Sequence, residues 1–509
     1  MSIVTLRFFM FVGVTAVLYW LCPSRWRWIV LLAASGAFML AGSSPALCCV
    51  FAAETLLVWL AALRLRKASG ERVRTAVTAG TVVLLAAVLI AYKDIAFFVH
   101  NINGLGRLAG IDIGLRMPEW AAPVGVSYYT LILIGYLLDV RWEKIGEPQR
   151  NPLKMLLFAG YFPQLTSGPF SRYGDVAETL FGGARWSLRG VQFGLQRMFW
   201  GLFKKLVLAD RLAVLVGALY SGGGRTGTLV LAGAVLFAAQ MYADFSGCMD
   251  IVLGVSEILG VPLAENFCRP FAAADLSEIW RRWHITLGLW LKDYILYPTL
   301  KSGWMQKVRK FCKKHWGKRA SREIPTYIGM FITWFCVGFW HGGSWKYIFG
   351  SGLFFFGMIA GGMLLDPVFK KIISLMRIDT GTWSWSLFQR VRSFCLFAAA
   401  VSFDRRESFM AGLRAWKTVF TDWNPWVLFD GTLMRLGLDG KDIAVCAFAL
   451  GAMLVVSMLQ ERLGSVREVL ARQNLVFRWL VYIALVLAVV VLGRYGPGYD
   501  AAAFIYAGF

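Results

Sequence analysis

The chain has 509 residues, of which 58% are hydrophobic and only 16% charged, with a mean hydropathy of +0.58. A soluble globular chain carries about 25% charged residues, so this composition excludes a soluble protein and predicts an all-α polytopic membrane protein. The net charge of +23 would suggest nucleic acid in a soluble chain. Here the collection of Lys and Arg in cytoplasmic loops accounts for it, and no nucleic-acid partner is expected.

In chain order, the first apolar run covers residues 3–21 and is followed by Arg25 and Arg27. Cys22 follows this run, but Tyr19-Trp20-Leu21 lacks the small residues that a processing site needs, so the run reads as a retained first helix. Further spans are predicted at 28–41, 46–63, 75–98 and 123–140, with a Gly-rich, weakly charged loop at 100–120. Basic residues follow the first, third and fifth spans (Arg64, Arg66, Lys67, Arg72 and Arg74 after the third; Arg141, Lys144 and Arg150 after the fifth). That alternation predicts a multi-pass membrane protein with its N-terminus outside and its basic loops in the cytoplasm.

The middle of the chain differs. Pro163, Gly168 and Pro169 predict a helix broken at membrane depth, which survives only where protein or a water-filled cavity surrounds it. Residues 229–263 carry Asp244, Asp250 and Glu257 in an apolar stretch. Such acids either face an interior cavity or pair with Arg and Lys of neighbouring helices. Asp275 and Glu278 have capping-box spacing and open an amphipathic helix expected to run to Tyr294 and stop at Pro298. At 100° per residue, Trp280, Trp283, His284, Leu287, Leu291 and Tyr294 share one face, and Arg281, Arg282, Lys292 and Asp293 the other, so His284 is expected on the buried side.

Residues 301–322 hold nine Lys or Arg and no acid. They read as a cytoplasmic loop, facing lipid phosphates or docking an acidic donor or partner protein. Residues 325–356 then cross the membrane and begin to return, with His341 between Trp340 and Gly342-Gly343. An ionisable side chain at that depth is a functional candidate by default. Later spans are predicted at 386–403, 443–459 and 477–492. The nine cysteines show no framework spacing and read as small buried hydrophobes. Cys312 and His315 form one CxxH pair with no second pair to complete a zinc site. No internal repeat, dinucleotide fingerprint or P-loop is present.

Of four histidines, His100 and His315 fall in predicted loops, and His284 and His341 in membrane-associated helices. A neutral imidazole is well suited to take a proton from a hydroxyl near pH 7. With no GxSxG elbow, Ser–His–Asp constellation or metal cluster beside it, His341 would act by direct transfer. It would accept the proton of an acceptor hydroxyl as that oxygen attacks an acyl thioester. A proton-relay histidine in a transporter or flippase has the same appearance in isolation.

Five segments carry a resemblance: PVGVSYYTLILIGYLLDV (123–140), FPQLTSGPFSRYGD (162–175), QMYADFSGCMDIVLG (240–254), ENFCRPFAAADLSEIWRRWHITLGLWLKDYI (265–295) and GFWHGGSWKYIFGSGL (338–353). In this order they resemble the membrane-bound O-acyltransferase (MBOAT) family, in its bacterial branch of alginate O-acetylases, peptidoglycan O-acetylases and D-alanyl transfer proteins of teichoic acid. WRRWH (280–284) followed by WHG (340–342) is its most specific signature. The resemblance implies that His341 is the active-site histidine and His284 a second required one. It also implies a single domain in which 1–150 are N-terminal spans, 151–365 the catalytic core and 366–509 C-terminal spans. About 11–13 transmembrane and re-entrant helices would form a ring around a thinned core with a through-membrane tunnel. Trp340, Trp283, Arg282, Asp244, Ser246, Asn266 and Asp293, in or beside the matching segments, are expected to line that tunnel.

No bound cofactor or metal is implied; the acyl thioester donor, acetyl-CoA or an acylated carrier protein, is a substrate. Implied partners are membrane lipid, an extracytoplasmic polysaccharide acceptor, a cytoplasmic acyl-carrier protein at 301–322, and an exported transferase or esterase-like protein. The last would make the chain an acyl relay, a reading that stays open beside direct transfer and transport. Cys248 stands where many members of the family carry Tyr, and Thr166-Ser167 where alginate-type members carry Ile-Ala; both bear on the acceptor and not on the reaction. The ending FIYAGF (504–509) resembles the O-acetylase branch more than the D-alanyl branch and favours acetyl.

Overall fold

A computed structural model describes residues 1–118, 120–221, 226–495 and 499. Among them the secondary structure is helical, with one isolated antiparallel bridge, Phe267 to Trp283. Among the described residues six helices are long and apolar enough to cross a membrane: Pro45–Lys67, Glu71–Leu108, Gly227–Ile258, Lys346–Leu375, Gly440–Leu463 and Leu475–Leu492. The protein is an all-α polytopic membrane protein. Spans expected at 46–63, 75–98, 443–459 and 477–492 each fall on one of these six helices. The motif at 504–509 lies outside the described residues.

Contacts divide the chain into two units. The first comprises Met1–Val207, Asp244–Ala264 and Ala452–Phe509. Its helix Val126–Arg141 has thirteen of sixteen residues buried; a helix apolar all round belongs inside a bundle. By contrast Leu475–Leu492 buries only Val489, as a helix facing lipid does. The expected break is present: Pro152–Gly160 ends where Tyr161 turns extended, and the four-residue helix Phe162–Leu165 follows. Gln164 Nε2 donates to the Phe158 carbonyl at 2.7 Å, satisfying backbone that the break frees.

The same unit settles how the acids at 244, 250 and 257 are accommodated. Lys205 pairs with Asp244 at 2.7 Å, Lys204 and Arg197 with Asp250 at 2.6 and 2.9 Å, and Arg467 with Glu257 at 2.7 Å. Of the two readings, interhelical pairing holds. Lys204 and Lys205 belong to a π-helical stretch, Phe203–Ala209, that continues Leu188–Leu202.

The second unit comprises Leu208–Ala243 and Glu265–Gly451. Three expectations are corrected in it. The amphipathic helix expected from Asp275 to Tyr294 is two short helices, Leu276–Arg282 and Ile285–Leu291, with Trp283 extended and His284 left-handed between them. Its stop at Pro298 is also absent. Pro298 is the second residue of Tyr297–Lys301, which follows the π turn Lys292–Leu296 without a break, so the helical run passes through the proline. Third, 301–322 is not a loop: Lys301 ends Tyr297–Lys301, Ser302 caps the next helix, and the rest lies on that helix, Gly303–Trp340, which kinks at Gly317 (φ 84°). Its cations are spread over an exposed helical surface, and His315 is on that helix. In the first unit His100, also expected in a loop, lies on Ile95–Leu108.

Candidate active site

Asp275 caps the helix Leu276–Arg282 as its spacing predicts. Its carboxylate accepts from the Glu278 N–H at 2.8 Å, while Glu278 Oε2 accepts from the Ala274 N–H at 2.8 Å. The helix stops after two turns because the chain beside it competes for its backbone. Cys268 N–H donates to the Arg282 carbonyl at 2.9 Å and Ile285 N–H to the Asn266 carbonyl at 3.0 Å. The stretch 266–268 therefore runs antiparallel to 282–285 and leaves His284 at φ 45°, ψ 49°. A non-glycine residue there costs about 1–2 kcal/mol and persists only where surroundings over-determine it.

Those surroundings are Asn266 and an aromatic bed. Asn266 is fully buried; its Oδ1 accepts from Thr286 N–H at 3.0 Å and Thr286 Oγ1 at 2.9 Å. It thus caps the helix Ile285–Leu291 from twenty residues away. Trp283, 1% exposed, packs among Tyr242, Phe267, Phe271 and Phe397, with ring centroids 4.9–6.1 Å apart. Trp280 continues the bed to Trp334 and Phe355 at 4.9 and 5.0 Å.

His341 ends the helix Gly303–Trp340: its N–H reaches Val337 O at 3.1 Å, and Gly342 N–H reaches Phe339 O at 3.2 Å. Gly342 then turns the chain at φ 146°. The returning π-helical segment Lys346–Leu353 crosses this helix so closely that a Cβ on Gly338 would lie 2.6 Å from Tyr347 O and 2.7 Å from Ile348 Cα. Only glycine permits that crossing.

The two histidines meet through Trp340. Its ring centroid is 5.1 Å from His341 and 5.8 Å from His284, edge-on to both. All three are buried: His284 is 1%, His341 7% and Trp340 8% exposed. Burial first, and the neighbouring His341 second, hold the His284 imidazole well below its ordinary pKa. It is therefore neutral at pH 7.

The structure thus brings together His341, His284, Trp340, Trp283 and Asn266, all in the second unit. Arg282 is turned away to Glu278, at 2.5 Å, and Asp293 is half-buried in the π turn Lys292–Leu296. Asp244 and Ser246 belong to the first unit, where they meet Lys205 and Lys204, the latter at 2.9 Å from Ser246. Thr286 is the residue that sequence reasoning missed; a hydroxyl two positions after a histidine carries no periodic signal. Among the described residues no group of three or more His, Cys, Asp and Glu could hold a metal ion.

No family model matches the chain. Its sequence is similar to a probable alginate O-acetylase of Azotobacter vinelandii, 29% identical over 455 residues, covering 89% of this chain and 84% of the relative. It is also similar to a peptidoglycan O-acetyltransferase of Helicobacter pylori, 27% identical over 286 residues and half of each chain. A teichoic acid D-alanyltransferase of Streptococcus thermophilus is 26% identical over 233 residues, 44% of this chain and 53% of the relative.

Proposed function

We propose that the chain is a membrane-bound O-acyltransferase and that it moves an acyl group, acetyl in preference to D-alanyl, from a thioester donor in the cytoplasm to hydroxyls of an extracytoplasmic cell-envelope polysaccharide. His341 is the general base. It takes the proton of the acceptor hydroxyl as that oxygen attacks the thioester carbonyl; the C–O bond forms, the C–S bond breaks, and the proton passes to the leaving thiolate. General-base assistance contributes about 10²–10⁴ in rate. His284 and Trp340 orient the donor beside it. The observation that carries this reading is the buried cluster His284–Trp340–His341, in which one imidazole is kept neutral by burial and by the other.

The donor is acetyl-CoA or an acylated carrier protein, approaching from the cytoplasmic side of a cytoplasmic membrane. The basic surface of 301–322 serves as its dock, with Trp304, Phe311 and Trp316 exposed among the cations. The N-terminus is then outside, since the basic segments face the cytoplasm.

Replacing His341 by Ala is expected to abolish ester-linked acyl groups on the envelope polysaccharide while the protein still accumulates in the membrane. Wild-type ester content in that variant would remove His341 from the mechanism. Transport of a polyol or lipid-linked sugar with no acyl product would replace the enzyme reading by a transporter. Ester formation only when an exported partner is added would make the chain a relay.

A further inference from the structure

We propose that Asn266 is a positioning residue that fixes the tautomer of His284, with Nδ1 held as acceptor and the proton on Nε2. The catalytic consequence rests on the acyl-transfer reading; the tautomer does not. Asn266 Nδ2 lies 3.3 Å from His284 Nδ1, and Asn266 Oδ1 lies 3.4 Å from the same atom. Distance alone does not choose between them; valence does. Oδ1 already accepts two hydrogen bonds, from Thr286 N–H at 3.0 Å and Thr286 Oγ1 at 2.9 Å. A carbonyl oxygen has two lone pairs, so both are spent. The carboxamide cannot flip, because its NH₂ would then face the Thr286 N–H, donor against donor. Nδ2 therefore supplies the proton to His284, and Nδ1 is the acceptor.

A neutral imidazole has one N–H, and with Nδ1 accepting it is on Nε2. Burial and the neighbouring His341 keep His284 neutral, so Nε2 stays a donor and cannot become a base. In the same site His341 does the proton abstraction. The two imidazoles are thus divided by role: His341 takes a proton, and His284 offers a fixed N–H for the oxygen on which charge develops when the thioester carbonyl is attacked. A pre-aimed N–H in a dry site stabilises that oxyanion without reorganising. This also gives a reason for the left-handed backbone at 284. The same Asn266 that holds the ring satisfies the amide groups of Ile285 and Thr286 through its own carbonyl and side chain, so the kink and the tautomer come from one residue.

The chain has only four histidines, so a ¹⁵N-histidine-labelled sample of the whole protein in nanodiscs resolves the question by NMR, with the His284 signals assigned by their loss in His284→Gln. Wild type is expected to show His284 protonated at Nε2. In Asn266→Asp the new carboxylate demands a donor at Nδ1, and the proton should move there. A wild-type His284 protonated at Nδ1, or an Asn266→Asp spectrum in which Nδ1 is still unprotonated, overturns the proposal. The wild-type spectrum decides by itself if the variant does not fold.

Turnover of acetyl-CoA supplies the second arm. Asn266→Asp is expected to lower kcat about 10–100-fold, the range for outer partners that orient a histidine, with KM little changed and the acid limb of the pH profile moved up. His284→Gln, whose amide nitrogen reaches about as far as Nε2, should retain activity that His284→Leu loses. Equal loss in both would deny the donor role. If wild type transfers no acyl group, the function reading fails while the spectrum still reports the tautomer.

Discussion

Two buried sites, one in each unit, accommodate their polar groups in opposite ways. In the first, Asp250 sits between Lys204 and Arg197, and Asp244 against Lys205, so burial is made tolerable by opposite charge. In the second, His284 is kept from charging at all: its neighbours are a carboxamide, a tryptophan and another imidazole. Ion pairs of the first kind hold helices in register and have little to give a reaction, because each charge is already committed. An uncharged imidazole remains able to exchange or offer a proton. The difference separates structural from chemical burial in one chain.

Mutation should therefore sort the two kinds. The largest effect is expected from Asp250→Ala, which removes the carboxylate shared by the buried Lys204 and the half-buried Arg197; breaking a buried pair costs about 3–5 kcal/mol. Membrane yield and thermal midpoint should both fall, whereas His341→Ala should match wild type in both while losing acylation. An Asp250→Ala protein as stable as wild type would dissolve the contrast. Next comes Gly338→Ala, whose Cβ would meet backbone at 2.6 Å. Because backbone cannot yield as a flexible side chain can, the turn carrying His341 must shift, and activity should drop more than stability.

A smaller effect is expected from pH. The folded-state pKa of His284 is depressed, so between it and the ordinary His range the unfolded chain binds the extra proton, and stability falls as pH falls. One such proton contributes at most about 1.4 kcal/mol per pH unit. The thermal midpoint of wild type should drop more between pH 7 and 5.5 than that of His284→Gln; parallel curves would mean the imidazole charges freely when folded. Least of all, Arg66→Ala, removing an ion pair with Glu147 whose side chains are both more than half exposed, should leave the midpoint unchanged.

Much of this was legible in the sequence. Apolar runs placed four of the six long spans, Pro163 marked the broken helix, and Asp275 with Glu278 marked a true cap. Burial of Trp283, His284, Leu287, Leu291 and Tyr294 came out as periodicity predicted, although the helix that justified it is interrupted at His284. The interruption was illegible because its cause is Asn266, eighteen residues earlier, and no Gly or Pro stands at 283–284 to announce it. For 301–322, charge density suggested a loop. Lys and Arg are good helix formers, and Gly317 only kinks the helix they form. Partners of the acids at 244, 250 and 257 lie on other helices, which a one-dimensional pattern does not pair.

The most direct test is acyl transfer by the purified protein in sealed liposomes, with acetyl-CoA on the cytoplasmic face and envelope polysaccharide on the other. Release of the CoA thiol should be matched by ester on the polysaccharide for wild type, and both should vanish in His341→Ala at equal protein incorporation. Undiminished, matched thiol and ester from His341→Ala would contradict the account.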